Sequence, residues 1–262
     1  MLKAMSTRRF DGKVALVTGA TSGIGRATSL ALAREGAQVA LAGRRREALA
    51  DLAARIESDG GTAHPVPVDV LREEDRQRAV VDTAQNLGGL DVLVQAAGII
   101  GFGTIENTSL SAWQEMFEIN VVAVYRLLQY ALPHLIPRRG NAVIVSSVTG
   151  LRSFPGVLAY CASKSAADQL VRCAALELAD KGVRVNAVNP GVVVTELHRR
   201  AGMSGEAYQA FLERSKTTHP LGRVGNPEEV AELILFLASE EASWLTGATI
   251  PIDGGRHLTC AR

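Results

Sequence analysis

Tyr160 and Lys164 stand four positions apart in Tyr160-Cys161-Ala162-Ser163-Lys164, where a helical pattern begins that runs to Ala179. Residues four apart on a helix share one face, about one turn apart. An ammonium held there favours the phenolate and can lower a tyrosine pKa from about 10 towards neutrality. The same spacing also arises by chance on amphipathic helices, as an ordinary surface pair. Ser147 lies thirteen positions before Tyr160, at the end of the apolar run 142–145. In an open α/β sheet the C-terminal ends of the strands form the ligand crevice, which would bring the Ser147 hydroxyl to it. Asn120 sits in a helical stretch over residues 112–132. Taken singly, a Ser or an Asn is more often a cap or a solvent-facing residue.

A second segment points to a phosphate. Thr18-Gly19-Ala20-Thr21-Ser22-Gly23-Ile24-Gly25 follows an apolar run and leads directly into a helical pattern. Strand, glycine turn and helix form the context in which such a motif has meaning. Gly19 permits the tight turn. Gly23 lets a pyrophosphate approach the backbone at the helix N-terminus, where free N–H groups and the dipole favour anions. Gly25 lets the helix sit close to the strand. The spacing is GxxxGxG, not the commoner GxGxxG. Without the neighbouring strand, three glycines could be only a turn and a packing site. The second strand runs into Gly43-Arg44-Arg45-Arg46. An acid there would accept from a ribose 2′-hydroxyl, whereas guanidiniums suit a 2′-phosphate. Arg44 and Arg45 therefore favour NADP(H), with NAD(H) the alternative. The competing reading is a solvated basic start to the next helix.

The elements that position these residues follow from hydrophobic periodicity. Apolar runs at 14–17, 39–42, 92–94, 142–145 and 183–188 are short, rich in β-branched residues and almost uninterrupted. Strands buried on both faces of a parallel sheet read this way. Between them, Ile24, Ala27, Leu30 and Ala31 repeat at helical spacing, as do Leu49, Leu52, Ala53 and Ile56, and later Ala166 to Leu178. Asn226-Pro227-Glu228-Glu229 reads as an N-cap, a first-turn proline and acids at the positive helix end. The alternation predicts a doubly wound α/β fold with a parallel sheet flanked by helices on both faces. Residues 11–262 are expected to form one domain, preceded by a flexible N-terminal tail over 1–10.

Composition excludes several classes. The chain has 262 residues, 47% hydrophobic, with a net charge of +1. No basic field is present to draw nucleic acid or a membrane surface. No apolar run approaches the roughly 18 residues of a membrane span. Cys161, Cys173 and Cys260 have no CxxC or Cys/His spacing, so free thiols in a cytoplasmic setting are expected, and no metal site.

In this order the residues resemble the short-chain dehydrogenase/reductase family, from Asp11 to Gly255. The likeness rests on the glycine loop, Asp69, Ala97-Gly98, Asn120, Ser147, Tyr160, Lys164, Asn186, Pro190-Gly191 with Thr195, and Asp253-Gly254-Gly255. It implies a Rossmann domain that moves hydride between a nicotinamide and a carbonyl or alcohol carbon. Tyr160 would be the acid in reduction and the base in oxidation. Lys164 would lower its pKa and hold the nicotinamide ribose. Ser147 would donate to the substrate oxygen, and Asn120 would hold a water linking Lys164 to solvent. Asp69, with Val70 beside it, would contact adenine. Pro190, Gly191, Val193 and Thr195 would carry the nicotinamide amide and the pyrophosphate. One departure stands out. The family commonly shows Asn-Asn-Ala-Gly after the fourth strand, and this chain has Gln95-Ala96-Ala97-Gly98, which puts the usual sheet-bracing bond in question.

The resemblance also implies a homotetramer and a mobile flap over the substrate, here at about 192–222. The expected walls of the substrate site are Ile99, Ile100, Leu151, Phe154, Val157 and Leu158 with flap residues Met203, Tyr208, Phe211 and Leu212, all apolar or aromatic. They suit a ketone or secondary alcohol with a hydrocarbon portion, with Arg152 and His198 expected in solvent; the alternative is that either points inward and meets a carboxylate. Two other classes compete. A dinucleotide-binding sensor or scaffold would show a damaged Ser–Tyr–Lys set, and the set is whole. An epimerase or dehydratase would need a larger C-terminal domain than the residues after Pro190 supply.

Overall fold

Each apolar run becomes a strand because its side chains find apolar partners on both faces of the sheet. In the computed structural model, which describes residues 8–259, seven strands form: β1 (Val14–Thr18), β2 (Gln38–Gly43), β3 (Thr62–Pro67), β4 (Val92–Gln95), β5 (Asn141–Val145), β6 (Arg184–Pro190) and β7 (Thr249–Ile252). All pairings are parallel, in the order β3-β2-β1-β4-β5-β6-β7. The order reverses between β1 and β4, which makes this a doubly wound Rossmann fold with its crevice at that switch point.

Ten helices connect and cover the strands among the described residues: α1 (Gly23–Arg34), α2 (Arg46–Ser58), α3 (Glu73–Leu87), α4 (Leu110–Phe117), α5 (Ala123–Arg138), α6 (Val148–Leu151), α7 (Leu158–Leu178), α8 (Leu197–Arg200), α9 (Gly205–Thr218) and α10 (Pro227–Ala238). Alternate strand residues divide between two cores. Val17, Leu41, Val94 and Val143 meet Leu32, Leu49, Ile56 and Ile234 from α1, α2 and α10. Leu16, Ala40, Leu93 and Ile144 meet Val80, Leu127, Leu135 and Val171 from α3, α5 and α7. No described helix is long and apolar enough to cross a membrane.

Two local results bear on the site. The helical stretch around Asn120 forms as α4 and α5, but a π-helical turn, Glu118–Val122, joins them. Gln95 is buried and donates from Nε2 to the Val124 carbonyl at 3.0 Å. The longer amide therefore braces β4 against α5.

The flexible tail expected over 1–10 is corrected at its inner end. Met1 to Thr7 lie outside the described residues, as does Cys260. Arg9 donates from Nη2 to Glu35 at 3.1 Å and to Glu232 at 3.3 Å. Phe10 is only 1% exposed and belongs to the core shared by α1 and α10. An aromatic ring buries too much apolar area to be left in water where such a face is within reach. Phe10→Ala should lower the unfolding free energy by about 3–5 kcal/mol in urea denaturation. A loss under about 1 kcal/mol would return Phe10 to the tail.

Candidate active site

The C-terminal strand ends open onto a cavity of about 1060 Å³. Ordinary ligand pockets run to about 1,000 Å³, so there is room here for a dinucleotide and a small substrate. Gly19 and residues 21–25 line it after β1, Arg44 and Arg45 after β2, and Asp69 and Val70 after β3. Ala97 and Gly98 line it after β4, and Pro190, Gly191, Val193 and Thr195 at and after the end of β6.

Several details fit a dinucleotide. Gly19 has φ +69°, and a Cβ there would lie 2.8 Å from the Ala97 nitrogen, so the chain can turn this tightly only at glycine. A Cβ on Gly23 would come 3.0 Å from Thr195 Cγ2, which marks how closely the β6 loop covers the glycine turn. The N-cap of α1, Ser22, makes no side-chain cap, and the first turn carries no acid. The opening N–H groups of α1 are thus left for an anion in the cavity. Arg45 Nη2 donates to the Thr21 carbonyl at 3.0 Å. Arg200, which the sequence reading missed, donates from Nη2 to Ser22 Oγ at 3.0 Å across a separation of 178 residues. Burial and the neighbouring Arg45 and Arg44 charges push its pKa below the usual arginine range. No local pattern could have announced that meeting.

Ser147, Tyr160 and Lys164 line the same cavity at its centre. Ser147 is held by its backbone: Asn189 Nδ2 donates to the Ser147 carbonyl at 2.9 Å and to Asp168 Oδ2 at 2.8 Å. Asp168 follows Lys164 by one helical turn and is buried. Both positioning residues were missed, although the spacing of Asp168 from Lys164 was visible. Burial pushes the Tyr160 phenol up to about 12, opposed by its hydrogen bond with Ser147. Burial likewise pushes Lys164 down to about 8, opposed by Asp168. Lys164 Nζ donates to the Val145 carbonyl at 2.9 Å and lies 5.8 Å from the Tyr160 ring centre. The pull of Lys164 expected on the phenol does not outweigh burial here. Desolvation dominates at Tyr160, and the phenol is protonated at neutral pH, the state a general acid requires.

Asn120 does not line the cavity. Its Oδ1 accepts from the Ile99 N–H at 3.1 Å, and its Nδ2 donates to the Ile99 carbonyl at 3.0 Å and to Ser163 Oγ at 3.1 Å. The π-helical turn aims this amide at the loop after β4, where it braces Gly98-Ile99 against α7. Its side-chain amide is engaged in that brace, so a water linking Lys164 to solvent would be held by the backbone of this turn rather than by the amide.

Ile99, Ile100, Phe154 and Val157 form walls as expected, while Leu151 is exposed and Leu158 does not reach the cavity. Tyr208 and Leu212 turn away into a small core with Val192, and the Tyr208 hydroxyl donates to the Thr195 carbonyl at 2.8 Å. Met203 and Phe211 face the cavity. So do Arg152 and His198, both half-buried, contrary to the solvent position expected for them. Cys161 is buried, with its thiol pushed up by burial, which suits packing rather than reactivity. Removing the Tyr160 hydroxyl deletes the proton donor but keeps the ring. Tyr160→Phe should fold and bind cofactor yet lose turnover by at least about 100-fold in steady-state assays. Near-normal turnover would remove Tyr160 from the chemistry.

Comparison with known proteins agrees with this geometry. A family profile described as enoyl-(acyl carrier protein) reductase matches residues 19–257. A 3-oxoacyl-[acyl-carrier-protein] reductase of Thermotoga maritima is 38% identical, with 94% of this chain and 98% of that protein covered. A glucose 1-dehydrogenase of Gluconobacter oxydans is 39% identical, over 95% of this chain and 94% of that one. A short-chain dehydrogenase/reductase of unknown function from Caenorhabditis elegans, solved with cofactor, superimposes with a TM-score of 0.92 at 34% identity, covering 97% of this chain and 98% of its own. With its parallel sheet, glycine loop and Ser–Tyr–Lys group in one cavity, this chain belongs to the short-chain dehydrogenase/reductase family, as an NAD(P)-dependent oxidoreductase acting on CH–OH or C=O groups.

Proposed function

We propose that the protein reduces a ketone to a secondary alcohol with NADPH, and runs the reverse oxidation with NADP⁺. The observation that carries this reading is the placing of two hydroxyl donors, Ser147 and the protonated Tyr160, side by side in the groove that the glycine loop opens. Both can donate to one carbonyl oxygen. Ser147 stabilises the charge developing there, and Tyr160 delivers the proton. Lys164 holds the nicotinamide ribose, and the residues after β6 hold the amide and the pyrophosphate. The bound nicotinamide supplies the hydride. The flap over 192–222 closes the groove and excludes water. Relatives named as a 3-oxoacyl reductase, a cyclohexanol dehydrogenase and a meso-2,3-butanediol dehydrogenase support a ketone or secondary alcohol as the reacting group. Two free thiols, Cys161 and Cys173, support a cytoplasmic setting.

Three guanidiniums favour the phosphorylated cofactor. Arg44 and Arg45 line the groove after β2, and Arg200 reaches it from α8. No acid stands at the end of β2 to select a ribose hydroxyl. Arg44→Asp should shift the ratio of NADH to NADPH dissociation constants towards NADH by about tenfold or more. Equal or tighter binding of NADH by the unmodified protein would overturn the preference.

The exposed apolar side chains favour a homotetramer with two kinds of two-fold interface. Leu110, Tyr125 and Leu176 are exposed on α4, α5 and α7, and Phe236 and Trp244 on and after α10, with Trp244 97% exposed. Large apolar residues gathered on these two faces suit covered interfaces. Light scattering should give four times the chain mass at micromolar concentration. A monomer would sink this proposal.

A further inference from the structure

The groove carries cations at both ends. Arg44, Arg45 and Arg200 gather at the glycine loop, where cofactor phosphates account for them. A second group, Arg152, Arg214 and Arg256, lines the same cavity on the Tyr160 side, where the cofactor explains nothing. Arg152 and Arg256 both approach the Phe154 ring, at 5.5 and 4.9 Å from its centre. The Phe154 carbonyl in turn faces the thiol of Cys161, the neighbour of Tyr160.

These guanidiniums are held by neutral groups. Arg152 Nη1 donates to the carbonyls of Arg256 at 3.3 Å and His257 at 3.2 Å, and to that of Thr259. Arg256 Nη1 donates to Thr218 Oγ1 at 2.6 Å. The guanidinium of Arg214, exposed on α9, has no hydrogen-bond or ion-pair partner among the described residues. Asp253, whose charge favours the Arg256 cation, is already engaged by the His257 N–H at 2.6 Å, the Gly255 N–H at 3.0 Å and His257 Nδ1 at 3.0 Å. Burial and the like charges of Arg152 and Arg214 push Arg256 below the usual arginine range. Among the described residues, the only carboxylates lining the cavity are Asp69, after β3, and Glu196, beside α8. Half-buried cations such as Arg152 and Arg256, which repel one another, are costly unless an anion joins them. The fork of a guanidinium matches an oxyanion.

We infer that Arg152, Arg214 and Arg256 form a subsite for an oxyanion on the substrate itself, so that the preferred ketone carries a carboxylate, sulfonate or phosphate remote from its carbonyl. Arg152, fixed by the chain's carbonyls, sets the field. Arg256 and Arg214 meet the anion from the C-terminal segment and from the flap. Ile99, Ile100, Phe154 and Val157 take the hydrocarbon between the two ends. This reading rests on the ketone-reductase proposal for the chemistry at Tyr160, and it replaces the mostly apolar pocket expected from the sequence.

The test uses the full chain with NADPH and matched substrates: short keto acids, the corresponding keto sulfonates, and the methyl esters of the same acids. An anionic tail should raise kcat/KM over its ester by about tenfold or more. Arg256→Gln and Arg214→Met should each cut that ratio by about tenfold, while Lys216→Met on the exposed side of α9 leaves it in place. A second readout needs no turnover. The saturated acid lacking the carbonyl should raise Tm of the NADPH-bound protein more than its methyl ester does, and Arg256→Gln should erase the difference. An acid-to-ester ratio near one, or a ratio that neither variant moves, overturns the subsite and leaves the reductase reading standing. No turnover of any ketone, with the acid's Tm shift still lost in Arg256→Gln, keeps the subsite and overturns the reductase reading.

Discussion

Parallel pairing of all seven strands sends every strand's C-terminal end to one edge of the sheet. Each loop leaving that edge therefore faces the loops of its neighbours. Because strand order reverses between β1 and β4, the loops after these strands diverge and leave a groove between them. Everything chemical in this molecule follows from that geometry. The glycine turn after β1, the arginines after β2, Gly98 after β4, Ser147 after β5 and Pro190 at the end of β6 face one cavity. The opposite edge collects none of these groups.

A groove of loops needs holding, and buried side-chain amides supply much of that. Gln95 ties β4 to α5, Asn120 ties the next loop to α7, and Asn189 ties β6 to the Ser147 carbonyl. At the far end of the sheet, Asn141 Nδ2 donates to the Ala238 carbonyl at 2.8 Å. Each amide satisfies a backbone group that a strand end or a loop would otherwise bury unpaired, at a cost of about 1–3 kcal/mol. Amides suit this task because they pair with backbone groups without bringing charge into the core. The two buried charges at the centre, Lys164 and Asp168, are moved by desolvation towards their neutral forms. Side chains held in this way keep donors in place before the substrate arrives.

Charge is distributed in a way that composition conceals. The chain is close to neutral overall, yet its main cavity is lined by arginines at both ends and has few acids. Acids elsewhere are consumed in surface pairs such as Arg9–Glu35, Arg126–Glu73 and Arg223–Glu229. A low-dielectric groove of one sign focuses field lines and draws anions inwards. The net charge of +1 carries no information about the groove.

Some of this was decided by local sequence and some was not. Strands β1, β2, β4, β5 and β6 were legible because burial on both faces demands unbroken apolar runs, and α1, α2, α7 and α10 because one-sided burial demands helical spacing. The glycine turn was legible because only glycine fits a backbone at φ +69° pressed against the next strand's loop. Tyr160 and Lys164 were legible as a pair because a helix fixes their separation. What stayed hidden depended on residues distant in sequence, and on burial that no spacing encodes. Phe10 read as tail until the α1–α10 core was there to receive it. Lys164 read as the agent lowering the Tyr160 pKa, until tertiary burial raised the phenol and turned the ammonium towards Val145. Asn120 read as a site residue, and the π-helical turn made it a brace. Arg152 was expected in solvent, and Arg200, Arg214 and Arg256 carried no local signal at all. Only the tertiary fold brings them to one groove, because side-chain direction and desolvation are properties of the packed fold and not of the local chain.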